Sequence, residues 1–139
     1  MNVIQALRTL TGLTSADSIF TDPPVEPPAL PLFAVVQDLD EFPKYQFFGN
    51  SSANQGVVQV NLFAPPRKVD GLPPDAIALL NLYNQVLTPT FRNSVTEDIT
   101  PGLSLNHPFQ YVGSSSPRFD RVYGGKTAWA RFRIIRQRQ

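Results

Sequence analysis

The sequence predicts an α+β fold, with a small mixed or antiparallel sheet of about four strands packed against one long and one short helix. Residues 56–66 alternate between two faces in the manner of a strand and are rich in β-branched side chains. Residues 31–38 and 126–136 have the same character, and residues 75–88 carry one amphipathic helical pattern. A chain of 139 residues falls in the size range of a single domain, here residues 1–139.

The strand within residues 56–66 is the best defined element of the sequence. Val58, Val60 and Leu62 point to one face of an extended backbone, and the intervening residues point to the other. Two consecutive prolines end it. Residues 32–37 are apolar on both faces, which indicates a second strand with a neighbour on each side. We expect the sheet to be organised around residues 56–66.

Two helices are predicted from periodic apolar residues. Residues 1–13 form a short helix with apolar side chains spaced by three and four. Residues 75–88 form the main helix, in which the Asp75 carboxylate faces the positive end of the helix dipole. We expect Pro89 to end this helix. Its predicted buried face consists of Ala76, Leu79, Leu80, Tyr83, Val86 and Leu87.

Proline determines where several elements begin and end. The chain has 14 prolines, several of them in pairs, and residues 14–31 are predicted to be an extended, stiff segment without ladder hydrogen bonds. Residues 38–55 are too long for a simple turn and form either a protruding loop or an extended hairpin. Their aromatic residues either fold back over the sheet or are buried against another subunit, where such side chains are enriched. These aromatic residues are Phe42, Tyr45, Phe47 and Phe48.

The C-terminal third supplies the remaining strands. Residues 103–112 alternate weakly around a proline, as an edge strand can. Residues 114–117 are predicted to be a loop, because they are three serines followed by proline. Two glycines, Gly124 and Gly125, separate the extended segment at residues 118–123 from the strand at residues 126–136. Such a pair is typical of a two-residue hairpin turn.

The predicted strand at residues 126–136 has two unlike faces. Trp129, Arg131 and Arg133 lie on one face, opposite small and aromatic apolar residues. A face with tryptophan and two arginines is half-covered or borders an interface. Strands that bind single-stranded nucleic acid also combine bases with aromatic residues. The RNA-binding strand signature is absent and the net charge is only +1, so we favour pairing with acidic residues of the same or a neighbouring copy.

The charged residues are divided unevenly along the chain. Residues 1–100 carry ten acids and five bases, a net charge of −5. Residues 101–139 carry one acid and seven bases, a net charge of +6. The two parts could attract each other within one chain, or copies of the protein could meet head to tail through them.

Several classes of functional site are excluded. The chain has no cysteine and one histidine, so disulfides, thiolate metal sites and histidine-rich metal sites are ruled out. Residues 124–127 end like a phosphate-binding loop, but Asp120 stands where that pattern needs glycine, and a strand follows in place of a helix. His107 has no serine or carboxylate arranged as a triad. We therefore predict no enzymatic activity, no cofactor and no metal.

The order of elements carries a family resemblance. The relevant features are residues 18–21 before the proline-rich segment, the strands at residues 30–37 and 57–64, one long helix, and a closing strand with Trp129 and Phe132. With the N-terminal helix, this order covers nearly the whole chain and resembles the tail-terminator (tail-completion) proteins of long-tailed bacteriophages. The resemblance is one of apolar positions and lengths, without a chemical signature.

The resemblance implies a structural virion protein, located at the head-tail junction and assembled in the cytoplasm of the bacterial host. It implies a hexameric ring that binds the tail tube protein, stops tube polymerisation, and presents a surface to the head connector or head-closure protein. The genome would pass through the ring lumen without specific recognition. No membrane partner is expected, because no run approaches 18 apolar residues and the N-terminus lacks a signal peptide.

We expect two groups of residues at the boundaries between ring subunits. The aromatic group of residues 38–55 lies at one boundary, and three arginines of the closing strand, Arg131, Arg133 and Arg136, lie near another. Two other functions remain open. One is another neck component, such as a head-closure or adaptor protein. The other is a nucleic-acid-binding module that uses the C-terminal strand with its arginines and aromatic residues.

Overall fold

The computed structural model describes residues 2–13, 16–44, 53–66, 73–95 and 109–137. It contains a mixed sheet of five strands and three α-helices, which confirms the predicted α+β class. The helices are α1 (Val3–Leu10), α2 (Ala76–Val86) and α3 (Pro89–Ser94). The strands are β1 (Ile19–Phe20), β2 (Phe33–Lys44), β3 (Ala53–Ala64), β4 (Gln110–Phe119) and β5 (Lys126–Gln137). A single turn of 3₁₀ helix, Ala16–Ser18, precedes β1.

The strands are ordered β1-β2-β3-β5-β4 across the sheet. β1 runs parallel to β2, and all other neighbours are antiparallel. β2 and β3 pair from Phe33 opposite Phe63 to Lys44 opposite Ala53, with a register shift after Asp38. Residues 38–55 were predicted to form either a protruding loop or an extended hairpin. Their described residues form an extended hairpin, because β2 and β3 remain paired as far as Lys44 and Ala53.

The core lies between the three helices and one face of the sheet. Val58, Val60 and Leu62 of β3 are at most 1% exposed, as their alternation predicts. From the helices, Leu7 and Phe91 are fully buried against them. The prediction that β3 is central to the sheet is confirmed by its pairing with β2 and β5.

The buried face of α2 differs from the predicted face. Leu79 and Val86 are buried as expected, but the third buried residue is Leu82, whereas Leu80 is 46% exposed and Ala76 is exposed. Positions 79, 82 and 86 follow the spacing of three and four that defines one helix face. Leu80 is rotated about 100° from Leu79 around the helix axis, so it lies at the edge of that face.

The chain after α2 forms a second helix that was not predicted. α2 ends at Val86, before Pro89 as expected, but Pro89 is also the first residue of α3, whose N-cap is Thr88. Its hydroxyl accepts a hydrogen bond from the Phe91 amide at 3.3 Å. Proline at the first helical position is favoured, because its missing N–H has no intrahelical acceptor there. Residues 90–102 are mostly polar and show no helical periodicity, so the sequence did not predict the six-residue helix α3.

Two predictions for the region around the edge strand β4 are wrong. Residues 114–117 were predicted to be a loop but lie within β4, where Pro117 is tolerated because an edge strand needs only one set of ladder bonds. The turn to β5 is not a two-residue turn, since it runs from Asp120 to Gly125 after the last pair, Phe119 opposite Lys126. Of the predicted edge strand at residues 103–112, residues 103–108 lie outside the described part.

Two further differences concern the N-terminal region. The first helix spans Val3–Leu10, which is shorter than the predicted residues 1–13. The sequence also gave no separate strand for Ile19–Phe20, which pairs in parallel with Ala34 and Val35. The predicted strand at residues 126–136 is confirmed as β5, which continues to Gln137.

Candidate subunit interface

The face of the sheet opposite the helices carries a connected row of polar side chains. Arg131 Nε donates a hydrogen bond to Gln59 Oε1 at 2.7 Å, and Gln59 Nε2 donates to Asn61 Oδ1 at 2.6 Å. Asn61 Nδ2 donates in turn to Gln37 Oε1 at 3.0 Å. The row links β5, β3 and β2 and fixes side-chain conformations on the face of the sheet that α1, α2 and α3 leave uncovered. Polar groups ordered in advance lose less entropy when a partner binds.

The Arg131 guanidinium also contacts the ring of Trp129. The Arg131 guanidinium carbon lies 4.5 Å from the centre of the Trp129 ring, a cation–π geometry worth about 0.5–1 kcal/mol at an exposed position. Arg131 nevertheless remains exposed to solvent. Arg133 pairs with Val57 on the same face, and Arg136 pairs with Asn54 in the ladder between β5 and β3. The structure therefore brings the three predicted arginines onto one strand.

A cleft of about 850 Å³ opens beside this row, between the open face and the turn from β4 to β5. Its lining combines three arginines with aromatic and neutral polar residues and includes one acid, Asp120. The arginines are Arg118, Arg121 and Arg131, and Phe119 and Trp129 are among the aromatic residues. In the part of the chain that the structure describes, Arg118 and Arg121 form no ion pair. The arrangement suits an acidic surface or a phosphate-bearing chain.

The turn from β4 to β5 is fixed by its own hydrogen bonds. Asp120 is 3% exposed, and its Oδ1 accepts a hydrogen bond from the Val122 amide at 2.9 Å. Its backbone amide donates to the Gly125 carbonyl at 2.8 Å, and its carbonyl accepts from the Gly124 amide at 3.0 Å. Within the described residues, Asp120 Oδ2 is buried and has no hydrogen-bond partner. The turn thus presents Arg121 and Val122 to solvent on a rigid base.

A second apolar cluster covers one end of the open face. Phe33 stacks on Phe63 at 4.9 Å between ring centres, and Tyr123 meets both rings edge-on at 5.5 Å and 5.2 Å. Phe20 of β1 packs against Phe33 at 5.8 Å. The Tyr123 hydroxyl donates to the Pro24 carbonyl at 2.6 Å. This hydrogen bond connects the proline-rich segment to the turn between β4 and β5.

The Tyr123 hydroxyl gives a pH-dependent contribution to stability. Burial, and secondarily the negative charge of Asp120, raise the pKa of Tyr123 above its ordinary value of about 10. The unfolded chain therefore loses this proton first as pH rises. The contribution is fully present below about pH 10 and is lost as pH rises through the raised pKa of the folded protein.

We expect Tyr123→Phe to lower the free energy of unfolding by about 0.5–1.5 kcal/mol at pH 7, because one hydrogen bond is lost. The variant should also lose less stability than the wild type between about pH 9 and pH 11. Urea unfolding at pH 7, pH 9 and pH 11 measures the two effects. Tyr111→Phe is the control, since the Tyr111 side chain is 44% exposed and its hydroxyl shares a hydrogen bond with the Ser114 hydroxyl. Identical alkaline loss in wild type and Tyr123→Phe would contradict the assignment.

The formal charges are separated across the sheet. Residues 16–44 carry six acids and one base, but only three of these acids lie in β1 and β2, whose strand residues have a net charge of −2. Asp22 and Glu26 lie outside these strands and flank Pro24, whose carbonyl accepts a hydrogen bond from Tyr123. Residues 110–137, which form β4 and β5, carry six bases and one acid, a net charge of +5. β3 lies between the two pairs of strands and has no charged residue. One edge of the sheet is acidic and the opposite edge is basic.

The basic edge also exposes apolar side chains. Tyr111 is 44% exposed and Val112 is 48% exposed on β4. Phe119 and Val122, at the end of that hairpin, are 63% and 76% exposed. Tyr111 and Val112 lie in the predicted edge strand at residues 103–112, and Phe119 and Val122 lie in the predicted extended segment at residues 118–123. Isolated apolar residues in these stretches do not indicate which side chains are exposed.

The predicted aromatic group cannot be assembled into a site. Phe42 lies in β2 opposite Gln55. Tyr45, Phe47 and Phe48 lie outside the described residues. The position of this group at a subunit boundary therefore stays a prediction, whereas the basic edge is defined by described residues.

The described residues contain no group of three or more potential metal ligands among histidine, cysteine, aspartate and glutamate. No helix in the described ranges is long and apolar enough to cross a membrane. Comparison with protein-family models and with curated proteins found no match to this chain.

Proposed function

We propose that this chain is a structural virion protein of the tail-terminator kind, whose copies form a ring by head-to-tail contact. The ring would cap the tail tube, stop its polymerisation and join the tail to the head connector. In this proposal the protein acts by shape and catalyses no reaction. The proposal unites the resemblance in the order of elements with the surfaces described above.

The opposite charge on the two edges of one sheet is the observation that carries the proposal. A surface that carries both signs on one side is self-complementary about a two-fold axis and favours a dimer. Here the acidic and basic edges lie at opposite ends of the strand order, with the uncharged β3 between them. Attraction then joins unlike edges of successive copies, which gives a heterologous contact that closes as a ring when the rotation permits.

The charged contact makes assembly sensitive to salt. The Debye length is about 8 Å at 0.15 M salt and about 3 Å at 1 M, so an association led by separated charges weakens as salt rises. We expect rings by electron microscopy and native mass at low salt, either alone or after mixing with tail tubes. We expect their yield to fall several-fold at 1 M salt.

The function itself is tested on polymerising tail tubes. Tube protein polymerised with this protein should give short tubes with a ring at one end, whereas tube protein alone should give tubes of uncontrolled length. A deletion mutant with tails of runaway length would favour a terminator over another neck component. A monomer that binds neither tubes nor connector protein at any salt concentration would overturn the proposal.

A second candidate function is the binding of single-stranded nucleic acid. The contact between Arg131 and Trp129, beside a cleft that contains Arg118 and Arg121, is the observation that favours it. Bases can stack on tryptophan while arginines hold the phosphates. Binding of labelled oligonucleotides that weakens steeply with salt, and is lost in Trp129→Ala, would support this function. Unchanged oligonucleotide binding in that variant would exclude the site.

A further inference from the structure

Both edges of the sheet are incompletely paired. In the described part of the chain, β1 pairs with β2 only at Ala34 and Val35. Beyond Val35, the outer edge of β2 has no strand beside it among those residues. At the opposite end of the sheet, β4 pairs with β5 alone. The outward-facing N–H and C=O groups of an edge strand can pair with another strand.

The β4 edge has few of the features that usually block strand addition, although one register shift lies between Tyr111 and Gly113. Residues 110–116 include no charged side chain, and Tyr111 and Val112 are about half exposed. Charged residues, prolines and bulges are the common means of protecting an edge. Pro117 and the register shift beside it limit the usable edge to residues 110–116.

The β2 edge has a matching recess. A cavity of about 320 Å³ lies where the chain leaves β1, and Thr21, Asp22, Val36 and Asp38 line it together with Ile4. Val36 and Ile4 supply apolar surface, and the two aspartates supply negative charge at its rim. Such a recess suits an uncharged strand that presents single apolar side chains, such as Tyr111 and Val112, beside basic residues.

We propose that the outer edge of β2, from Val36 onward, pairs with residues 110–116 of β4 in a second copy of this chain. This inference rests on the proposed function, because it names the surface through which the ring subunits meet. The sheet would then continue from one subunit into the next, and the acidic strand β2 would lie beside the basic pair β4 and β5.

The strand directions determine how the two copies meet. β2 is antiparallel to β3, β3 to β5 and β5 to β4. β2 and β4 therefore run in opposite directions within one sheet. When successive copies keep the same strand direction, β4 of one copy meets β2 of the next in the antiparallel sense, which is the more stable pairing.

Charge reversal at one edge at a time tests the pairing of unlike edges. Arg118→Glu with Arg121→Glu reverses the two charges nearest the end of β4 and lowers the net charge of residues 110–137 from +5 to +1. Asp22→Arg with Asp38→Arg reverses the two charges that line the recess and raises the net charge of residues 16–44 from −5 to −1. Each double variant alone should assemble at least tenfold more weakly than the wild type. An equimolar mixture should regain assembly, because native charges then meet native ones and reversed charges meet reversed ones. The control is Arg8→Glu with Arg92→Glu, which matches the change of −4 in the arginine pair but lies on α1 and α3.

Cysteine cross-linking tests the strand contact itself, because the natural chain contains no cysteine. Leu39→Cys is combined with either Tyr111→Cys or Val112→Cys, since neighbouring strand residues face opposite sides. A disulfide requires Cα atoms within about 7 Å. Under mild oxidation of the assembled protein, one of these pairs should give a ladder of covalent oligomers that reduction removes. The matched control is Leu39→Cys with Ile77→Cys, because Ile77 is 75% exposed on α2.

The outcomes separate this inference from the proposed function. If the protein assembles on tail tubes but neither pair cross-links above the Ile77 control, the edge pairing is wrong and the ring function stands. If each charge-reversed variant assembles alone as well as the wild type, the pairing of unlike edges is equally wrong. If the wild type never assembles, with or without tail tubes, both proposals fall.

Discussion

Replacing Leu79 with aspartate is expected to leave the protein largely unfolded. Leu79 is 0% exposed and packs in the main core beneath α2. The substitution loses about 1.5–3 kcal/mol of apolar burial. It also places a carboxylate without a partner in an apolar site, which costs several kcal/mol more or forces the side chain out. The total approaches the 5–15 kcal/mol that stabilises a typical domain. Far-UV circular dichroism and urea unfolding measure the loss.

Leu80→Asp is the matched control, because it makes the same chemical change one residue along the same helix. Leu80 is 46% exposed, so an aspartate there can remain in water. We expect a loss of at most about 1 kcal/mol and a normal cooperative transition. Equal losses in the two variants would mean that α2 is rotated about its axis relative to the structure. A folded, fully cooperative Leu79→Asp protein would contradict the packing of the core.

The sequence could not show that Leu82, and not Leu80, lies on the buried face of α2. Apolar residues occur nearly all around this helix, so its periodicity is compatible with either leucine. The neighbouring elements determine which one is buried. Leu82 lies on the side of α2 that meets the segment around Leu32, and Tyr83 on the other side reaches Ser114 of β4 at 2.8 Å.

β2, β3 and β5 could be predicted because each combines strict alternation or continuous apolar character with proline or glycine at an end. The elements that were missed depend on their partners. Ile19–Phe20 is too short to give a period of its own and is a strand only because β2 offers an edge. The serine-rich part of β4 is held in place by its pairing with β5, which local propensity does not encode.

The candidate interface was partly accessible from the sequence. Alternation along β5 correctly placed Arg131 and Arg133 on the face opposite the core, because a period of two fixes the side of each residue. The uneven distribution of charge along the chain could also be read from the sequence. The sequence does not show that the acidic and basic strands lie on opposite sides of the sheet, because this depends on the strand order. The buried Asp120 likewise depends on the folded turn.

Replacing Gly125 with alanine is expected to destabilise the protein by about 3 kcal/mol or more. A Cβ atom at this position would lie 2.0 Å from the Ala64 carbonyl oxygen and 2.9 Å from Pro65 Cα. Both contacts are with backbone, so no side chain can rotate away, and relief requires moving the end of β3 or the turn. Overpacking that rotamer changes cannot relieve costs about 1–3 kcal/mol, occasionally more. Urea unfolding measures the loss.

Gly113→Ala is the control, because a Cβ atom at Gly113 meets nothing within 4 Å. We expect its stability to stay within about 0.5 kcal/mol of the wild type. Because Gly125 also accepts the hydrogen bond from Asp120, a shifted turn would move Arg121 and Val122 at the basic edge. Gly125→Ala should therefore weaken assembly even where the chain remains folded. A variant as stable as Gly113→Ala would show that the turn does not pack against the end of β3.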